Sequence, residues 1–212
     1  MKKSRTALIC LDGEPPHPKT LQFVLKHVDF VVAADGGANW LFEAGIAPDV
    51  LIGDLDGVKR KVLTKIPSTQ VIQIKDQYST DLEKAFSWVT QNKIQHVIVL
   101  AGTGKRIDHT FCNFFLLWKY AHRISIEMIH DDFHGYFLNN HAYEFLSQPG
   151  TTFSLIPFSS CSGITLKGFQ FQLTKARMKL GEVGVSNVVE KSHVHVHVRK
   201  GRALAIFIQE QK

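Results

Sequence analysis

Two aspartates, Asp54 and Asp56, stand one residue apart at the end of Pro48-Asp49-Val50-Leu51-Ile52-Gly53-Asp54-Leu55-Asp56-Gly57. A short apolar run closed by glycine reads as a buried strand entering a tight turn. At the carboxyl end of such a strand in an open α/β sheet, the pair lies where ligands bind. Carboxylates at i and i+2 of an extended turn point the same way. Together they can hold a hard divalent cation and leave positions open for phosphate oxygens. Asp-x-Asp also occurs in metal-dependent transferases, in hydrolases and in plain surface turns, so its partners must decide its meaning.

Three further polar motifs follow apolar runs: Asp35-Gly36-Gly37-Ala38-Asn39, Asp76-Gln77-Tyr78-Ser79-Thr80-Asp81, and Gly102-Thr103-Gly104-Lys105-Arg106-Ile107-Asp108-His109. Gly36 and Gly37 let backbone N–H groups approach an anion and open a helix whose N-terminus favours negative charge, or they form a plain strand–helix turn. Asp35 suits nucleotide hydroxyls or metal-bound water, and equally a cap. Asp81 falls in the first turn of a helix, where the dipole alone favours it; proximity to Asp54 and Asp56 would make it a metal ligand. Lys105 and Arg106 suit phosphate oxygens, one as a point charge and one as a fork. The Walker A spacing is absent. Asp108 also reads as an N-cap, and no partner for His109 is legible.

These motifs need strands to carry them. Strands are expected at Thr6–Leu11, Phe30–Ala34, Val50–Ile52, Val71–Ile74, His96–Leu100 and Ile124–Ile129. Helices are expected at Lys19–His27, Asn39–Ala44, Lys59–Lys65, Asp81–Asn92 and Asp108–Ala121. Thr80 and Glu83 have the spacing of a capping box. The alternation predicts a parallel sheet with helices on both faces, and its carboxyl-end loops gather on one edge. That edge then holds several carboxylates, glycine-rich backbone and two cations, a setting for metal-assisted phosphate chemistry. Phe111, Phe114, Phe115 and Trp118 read as core packing of the last helix.

From Tyr136 onward the runs are short, alternating and broken by Gly, Pro or Ser: Ala142–Leu146, Thr152–Ile156, Gly163–Leu166, Phe169–Leu173, His193–Arg199 and Ala203–Ile208. This predicts an antiparallel sandwich or small barrel. The fold class is therefore α/β plus all-β, with domains at 1–135 and 136–212. Gly184-Val185-Ser186-Asn187 reads as a turn. His193, His195 and His197 share one strand face. Neighbouring histidines can bind a transition metal, but no Cys or carboxylate is spaced to complete a site, and a polar strand face is the plainer reading.

The formal charge of +6 and pI near 9.2 fit a solvated basic surface or attraction to an anion. No Lys/Arg block or RNA-binding signature points to nucleic acid, so a small anionic substrate is the better inference. Cys10, Cys112 and Cys161 form no disulfide framework and no CxxC pair, which implies a reducing, cytoplasmic setting; Cys10 and Cys112 read as buried thiols. The run after Lys2 and Lys3 is too short for a signal segment, and no stretch has membrane-spanning length.

The ordered set Asp-Gly-Gly-Ala-Asn (35–39), Pro-Asp-x-x-x-Gly-Asp-x-Asp (48–56), Gln-x-x-Thr-Asp-x-x-Lys-Ala (77–85), Gly-x-Gly-x-Arg-x-Asp-His-Thr (102–110) and Val-Ser-Asn (185–187) resembles the thiamin pyrophosphokinase family. The resemblance implies an N-terminal α/β domain, a C-terminal β-sandwich and a homodimer. It implies transfer of the diphosphate of ATP to the thiamin hydroxyl, with Mg2+ and release of AMP. Carried over by motif, Asp54, Asp56 and Asp81 resemble magnesium-binding residues. Asp35, Gly36, Gly37, Asn39, Gln77, Thr80, Gly102, Lys105, Arg106, Asp108 and His109 fall in the ATP-binding and catalytic region. Ser186 and Asn187 match a motif lining the thiamin pocket, supplied by the partner's sandwich. Gly57 stands where the family usually has Ser, and Thr103-Gly104-Lys105 replaces a more glycine-rich stretch. The rival readings are a diphosphokinase for another alcohol such as a hydroxymethylpterin, a glycosyltransferase, and a non-catalytic nucleotide or thiamin sensor.

Overall fold

The computed structural model describes residues 4–209, which divide into two compact units on either side of the His130–Asp131 junction. The first unit runs β1 (Thr6–Cys10), α1 (Pro18–Leu25), β2 (Phe30–Ala34), α2 (Gly37–Glu43), β3 (Val50–Gly53), α3 (Arg60–Leu63), β4 (Gln70–Gln73), α4 (Asp81–Gln91), β5 (His96–Leu100), α5 (Ile107–Tyr120) and β6 (Ser125–Ile129). Its strands lie in the order β6-β5-β1-β2-β3-β4, and every pairing among them is parallel.

Both faces of the central strands are buried, as a parallel sheet demands. Leu8, Cys10, Val31, Ala33, Leu51, Ile98 and Leu100 pack with Leu21, Val24, Trp40, Leu41 and Val62 from α1, α2 and α3. The alternate residues, among them Ile9, Val32, Ile52 and Val99, are also buried and face the opposite side, where α4 packs on β1, β2 and β3. The α4 capping box is present: Glu83 N donates to Thr80 Oγ1 and Thr80 N to Glu83 Oε2, each at 3.2 Å. The chain progresses outward from β1 to β4, then returns to β5 on β1's other side. The β1–β5 boundary is thus a topological switch point, where loops diverge and leave a crevice.

The second unit is an antiparallel sandwich. Its strands are β7 (Phe133–Leu138), β8 (Ala142–Leu146), β9 (Thr152–Pro157), β10 (Cys161–Lys167), β11 (Leu173–Met178), β12 (Gly184–Val188), β13 (His193–Lys200) and β14 (Ala203–Ile208). One layer is ordered β12-β9-β14-β7 and the other β11-β10-β13-β8. Phe153, Leu155, Ile164, Leu166, Phe169, Val194, Val196, Val198 and Phe207 share one core.

Several local expectations change. The expected helix at Lys59–Lys65 is one turn, Arg60–Leu63. Helix α5 begins at Ile107, so its N-cap is Arg106 rather than Asp108. Phe111 and Phe115 are mostly exposed, not core, as is Ile107 one turn earlier. Cys10 and Cys161 are the buried thiols, whereas Cys112 is exposed. The run Phe169–Leu173 is not a strand; Phe169 makes an isolated bridge to Val189, and the strand follows at Leu173–Met178. There Lys175 has φ 51°, and the pairing with β10 shifts register, so the period-two pattern is broken. Gly184–Val188 is a strand rather than a turn, with a register shift between Gly184 and Asn187 and Ser186 at φ 59°. No helix of the described residues is long and apolar enough to cross a membrane.

Asn187 fixes that irregular strand. Its Nδ2 donates to Phe171 O at 2.8 Å, and its Oδ1 accepts from Phe171 N at 2.9 Å. Asn187→Ala leaves the Phe171 N–H and C=O without this partner. We expect the unfolding free energy in denaturant titrations to fall by about 1–3 kcal/mol. An unchanged midpoint would show that water replaces the amide at no cost.

Candidate active site

Strands β2 and β3 are neighbours in register, Ala34 beside Ile52, and Asp35 N donates to Ile52 O at 2.9 Å. Their carboxyl-end residues therefore meet. Single carboxylate oxygens of Asp35, Asp54 and Asp56 lie within 4.8 Å of one another. Gly57 N donates to Asp35 Oδ2 at 3.0 Å, and Asp56 N to Asp54 Oδ1 at 3.1 Å. Gln77 Nε2 adds a bond to Asp54 Oδ2 at 2.9 Å. Two glycines make this convergence possible. A Cβ on Gly57 would sit 2.1 Å from Asp35 Oδ2, and one on Gly53 would sit 2.9 Å from Asp35 Cβ and 3.1 Å from Asp81 Oδ1.

The electrostatics follow from this crowding. Burial, then the charge of Asp81, pushes the Asp35 carboxyl up to about 6. The Asp56 N–H, then Gln77, holds Asp54 below the ordinary carboxylate range, and the Asp54 charge raises Asp56. Asp81 has a different partner: Lys84, whose side chain is only 4% exposed, donates to Asp81 Oδ1 at 3.0 Å. A buried ammonium requires such pairing, and its charge also favours ionised Asp54. Asp35 Oδ1 is buried with no hydrogen-bond partner among the described residues. Three convergent carboxylates, one of which also carries a buried, unpartnered oxygen, fit a hard divalent cation.

A crevice of about 430 Å³ opens at the switch point. Asp35, Gly36, Asp56, Thr80, Asp81, Gly102, Lys105, Arg106 and His109 all line it. Lys105 Nζ donates to Asp12 Oδ1 at 2.8 Å. Arg106 forks onto Asp108 at 3.1 and 2.5 Å, and this pairing lowers Asp108 to about 2. Asn39 holds the loop after Asp56, donating to Gly57 O at 2.8 Å and accepting from Lys59 N at 2.9 Å. Gly37 is the buried first residue of α2. A larger cavity of about 690 Å³, lined by the second unit's His134, Tyr136, Phe145 and Phe207 among others, holds none of these residues.

Residues 21–129 match the model of the thiamin pyrophosphokinase catalytic domain, and residues 136–202 match that of the thiamin pyrophosphokinase vitamin B1 binding domain. The chain belongs to the thiamin pyrophosphokinase family. It is 29% identical to thiamine pyrophosphokinase 1 of Oryza sativa subsp. japonica over 195 residues, 78% of this chain and 74% of the relative. It is 29% identical to thiamine pyrophosphokinase of Bacillus subtilis over 184 residues, 82% and 85% of the two chains. The crystal structure of thiamine pyrophosphokinase from Bacillus subtilis superposes with a TM-score of 0.84 at 26% identity, covering 98% of this chain and all of that one.

Within this thiamin pyrophosphokinase family chain, Ser186 and Asn187 lie in the sandwich, apart in sequence from every crevice residue. Ser186 is exposed, while Asn187 is buried and bonded to Phe171. Sequence reasoning passed over Asp12, Thr110 and Asn113, which also line the crevice. Asn113 Nδ2 holds Gly102 O at 2.9 Å. Asp12 had a usable signal, because it follows β1 as Asp35 follows β2.

Asp35 gives a pH prediction. Its folded-state value, about 6, exceeds the ordinary 3.8, so the folded chain binds more protons between these values. Metal-free stability should then fall as pH rises from about 4 to about 6 and stay level above, a loss on the order of 3 kcal/mol. Asp35→Asn should remove that slope and melt higher than the parent at pH 7.5 in chelator. Parallel stability curves for the two proteins would show that ionised Asp35 is not strained.

Proposed function

We propose that the chain is a magnesium-dependent thiamin diphosphokinase that makes thiamin diphosphate and AMP from thiamin and ATP. The observation that carries this reading is one crevice joining the Asp35/Asp54/Asp56 cluster to Lys105 and Arg106, in a chain matched by both family domains. Asp54 and Asp56, with Asp35 and Asp81 beside them, would hold a magnesium ion, which would supply charge neutralisation to the phosphates. Gly36, Gly37 and Gly102 bring backbone close to the nucleotide. Lys105 turns from Asp12, and Arg106 from Asp108, to meet the triphosphate. The thiamin hydroxyl oxygen bonds to the β-phosphorus, the bond from that phosphorus to the bridging oxygen of AMP breaks, and AMP leaves with that oxygen. The hydroxyl proton goes to a nearby carboxylate or water. No strong base is required where positioning and charge stabilisation dominate.

The chain acts as a cytoplasmic homodimer in this reading. Ile107, Phe111 and Phe115 recur every fourth residue on α5 and are 58–70% exposed. An exposed apolar stripe beside the crevice suits cover by a second copy, whose sandwich brings Ser186 to the thiamin side.

Asp54→Ala and Asp56→Ala should each lower turnover by a factor on the order of 10² or more with unchanged circular dichroism. Near-normal turnover in either variant at saturating magnesium would refute the metal assignment. The parent should form AMP from ATP only when thiamin is present. AMP formed with a hydroxymethylpterin instead, or tight binding of both ligands with no AMP at all, would overturn the reaction assignment.

A further inference from the structure

The alternating histidines of β13 play no part in the crevice. They face outward from the sheet β11-β10-β13-β8, because Val194 and Val196 between them and Val198 after them are fully buried. That burial fixes the strand and so the spacing of the rings. Register places Glu144 of β8 directly opposite His195. The two side chains meet, with His195 Nδ1 2.6 Å from Glu144 Oε1. The ring centroids of His195 and His197 are 6.3 Å apart, with planes inclined by 71°. Both rings are half-buried. Sequence spacing hides this carboxylate, since 51 residues separate the partners.

A neutral imidazole that donates Nδ1–H to a carboxylate carries its lone pair on Nε2, and the carboxylate raises its basicity. We propose that His195 and His197 form a surface site for a transition-metal ion of the zinc, nickel and copper(II) class. Glu144 is the positioning residue, acting through His195 and not as a third ligand. Two imidazoles from i and i+2 of a rigid strand chelate one ion, and water completes its shell. Imidazole nitrogen suits these metals, whereas magnesium prefers oxygen, so the site differs in kind from the Asp35/Asp54/Asp56 cluster. Lys167 on β10 lies opposite His195 on the other flank. Its exposed, flexible stem lets the ammonium swing into water away from a bound cation. His193 lies opposite Leu146 and pairs with Ser192 at 3.3 Å, outside the chelate.

Isothermal titration of the full chain with zinc chloride, in excess magnesium at pH 7.5, tests the site. One zinc should bind in the micromolar range and raise the melting temperature. His195→Ala and His197→Ala should each abolish that step, and His193→Ala should leave it intact. Glu144→Gln should weaken it roughly ten-fold. Diphosphotransferase turnover in magnesium should be the same in all four variants. Absence of a zinc step in the parent, or its survival in His195→Ala or His197→Ala, would overturn the proposal. Unchanged affinity in Glu144→Gln would overturn the positioning role.

Discussion

The site rests on like charges held close together. Asp35, Asp54 and Asp56 converge within 4.8 Å, with Asp81 near enough to raise Asp35 further. Carboxylates so placed repel one another, and burial of Asp35 weakens the water that would otherwise screen them. Backbone donors at Gly57 and Asp56, the Gln77 amide and the buried Lys84 ammonium offset part of that repulsion. Asp35 Oδ1 remains without a donor among the described residues. The fold imposes this arrangement through parallel pairing of β2 with β3, which brings their ends to one level. A cation is the group that relieves it. The helices of the first unit thus serve a sheet edge that is electrostatically incomplete by itself.

The strand-end logic made most of the crevice legible. Parallel strands share a direction, so motifs after β2, β3 and β5 had to gather, and they do. Capping chemistry was equally readable, because Thr80 and Glu83 act within one turn. Non-local facts were not readable. Lys84 resembles any helix lysine until the fold buries it against Asp81. Glu144 is unconnected to His195 until β8 pairs with β13. Strand β11 escaped because the bulge at Lys175 destroys the alternation on which a strand is recognised.

Helix α5 shows a related limit of periodicity. An apolar stripe reports that a surface avoids water, not what covers it. Leu117 is fully buried, while Phe111 and Phe115 on the same helix are mostly exposed. The helix thus has one apolar side within its own unit and another turned outward, next to Arg106 and His109 at its N-terminus. Two apolar sides on a helix that also bears charged groups at a crevice mark a place where packing and chemistry share one element.

Gly57 sits directly against the Asp35 carboxylate. Its N–H donates to Asp35 Oδ2, while the position its Cβ would take is 2.1 Å from that same oxygen. Any side chain at 57 therefore competes with Asp35 for space. Asp35 must then rotate away from Gly57 N, or the loop from Asp54 to Lys59 must withdraw from β2. That loop is itself tied by Asn39 to Gly57 O and Lys59 N. With the loop anchored at both places, rotation of Asp35 is the smaller change, and it removes one oxygen from the cluster. Gly57 is thus the residue that lets a third carboxylate join Asp54 and Asp56.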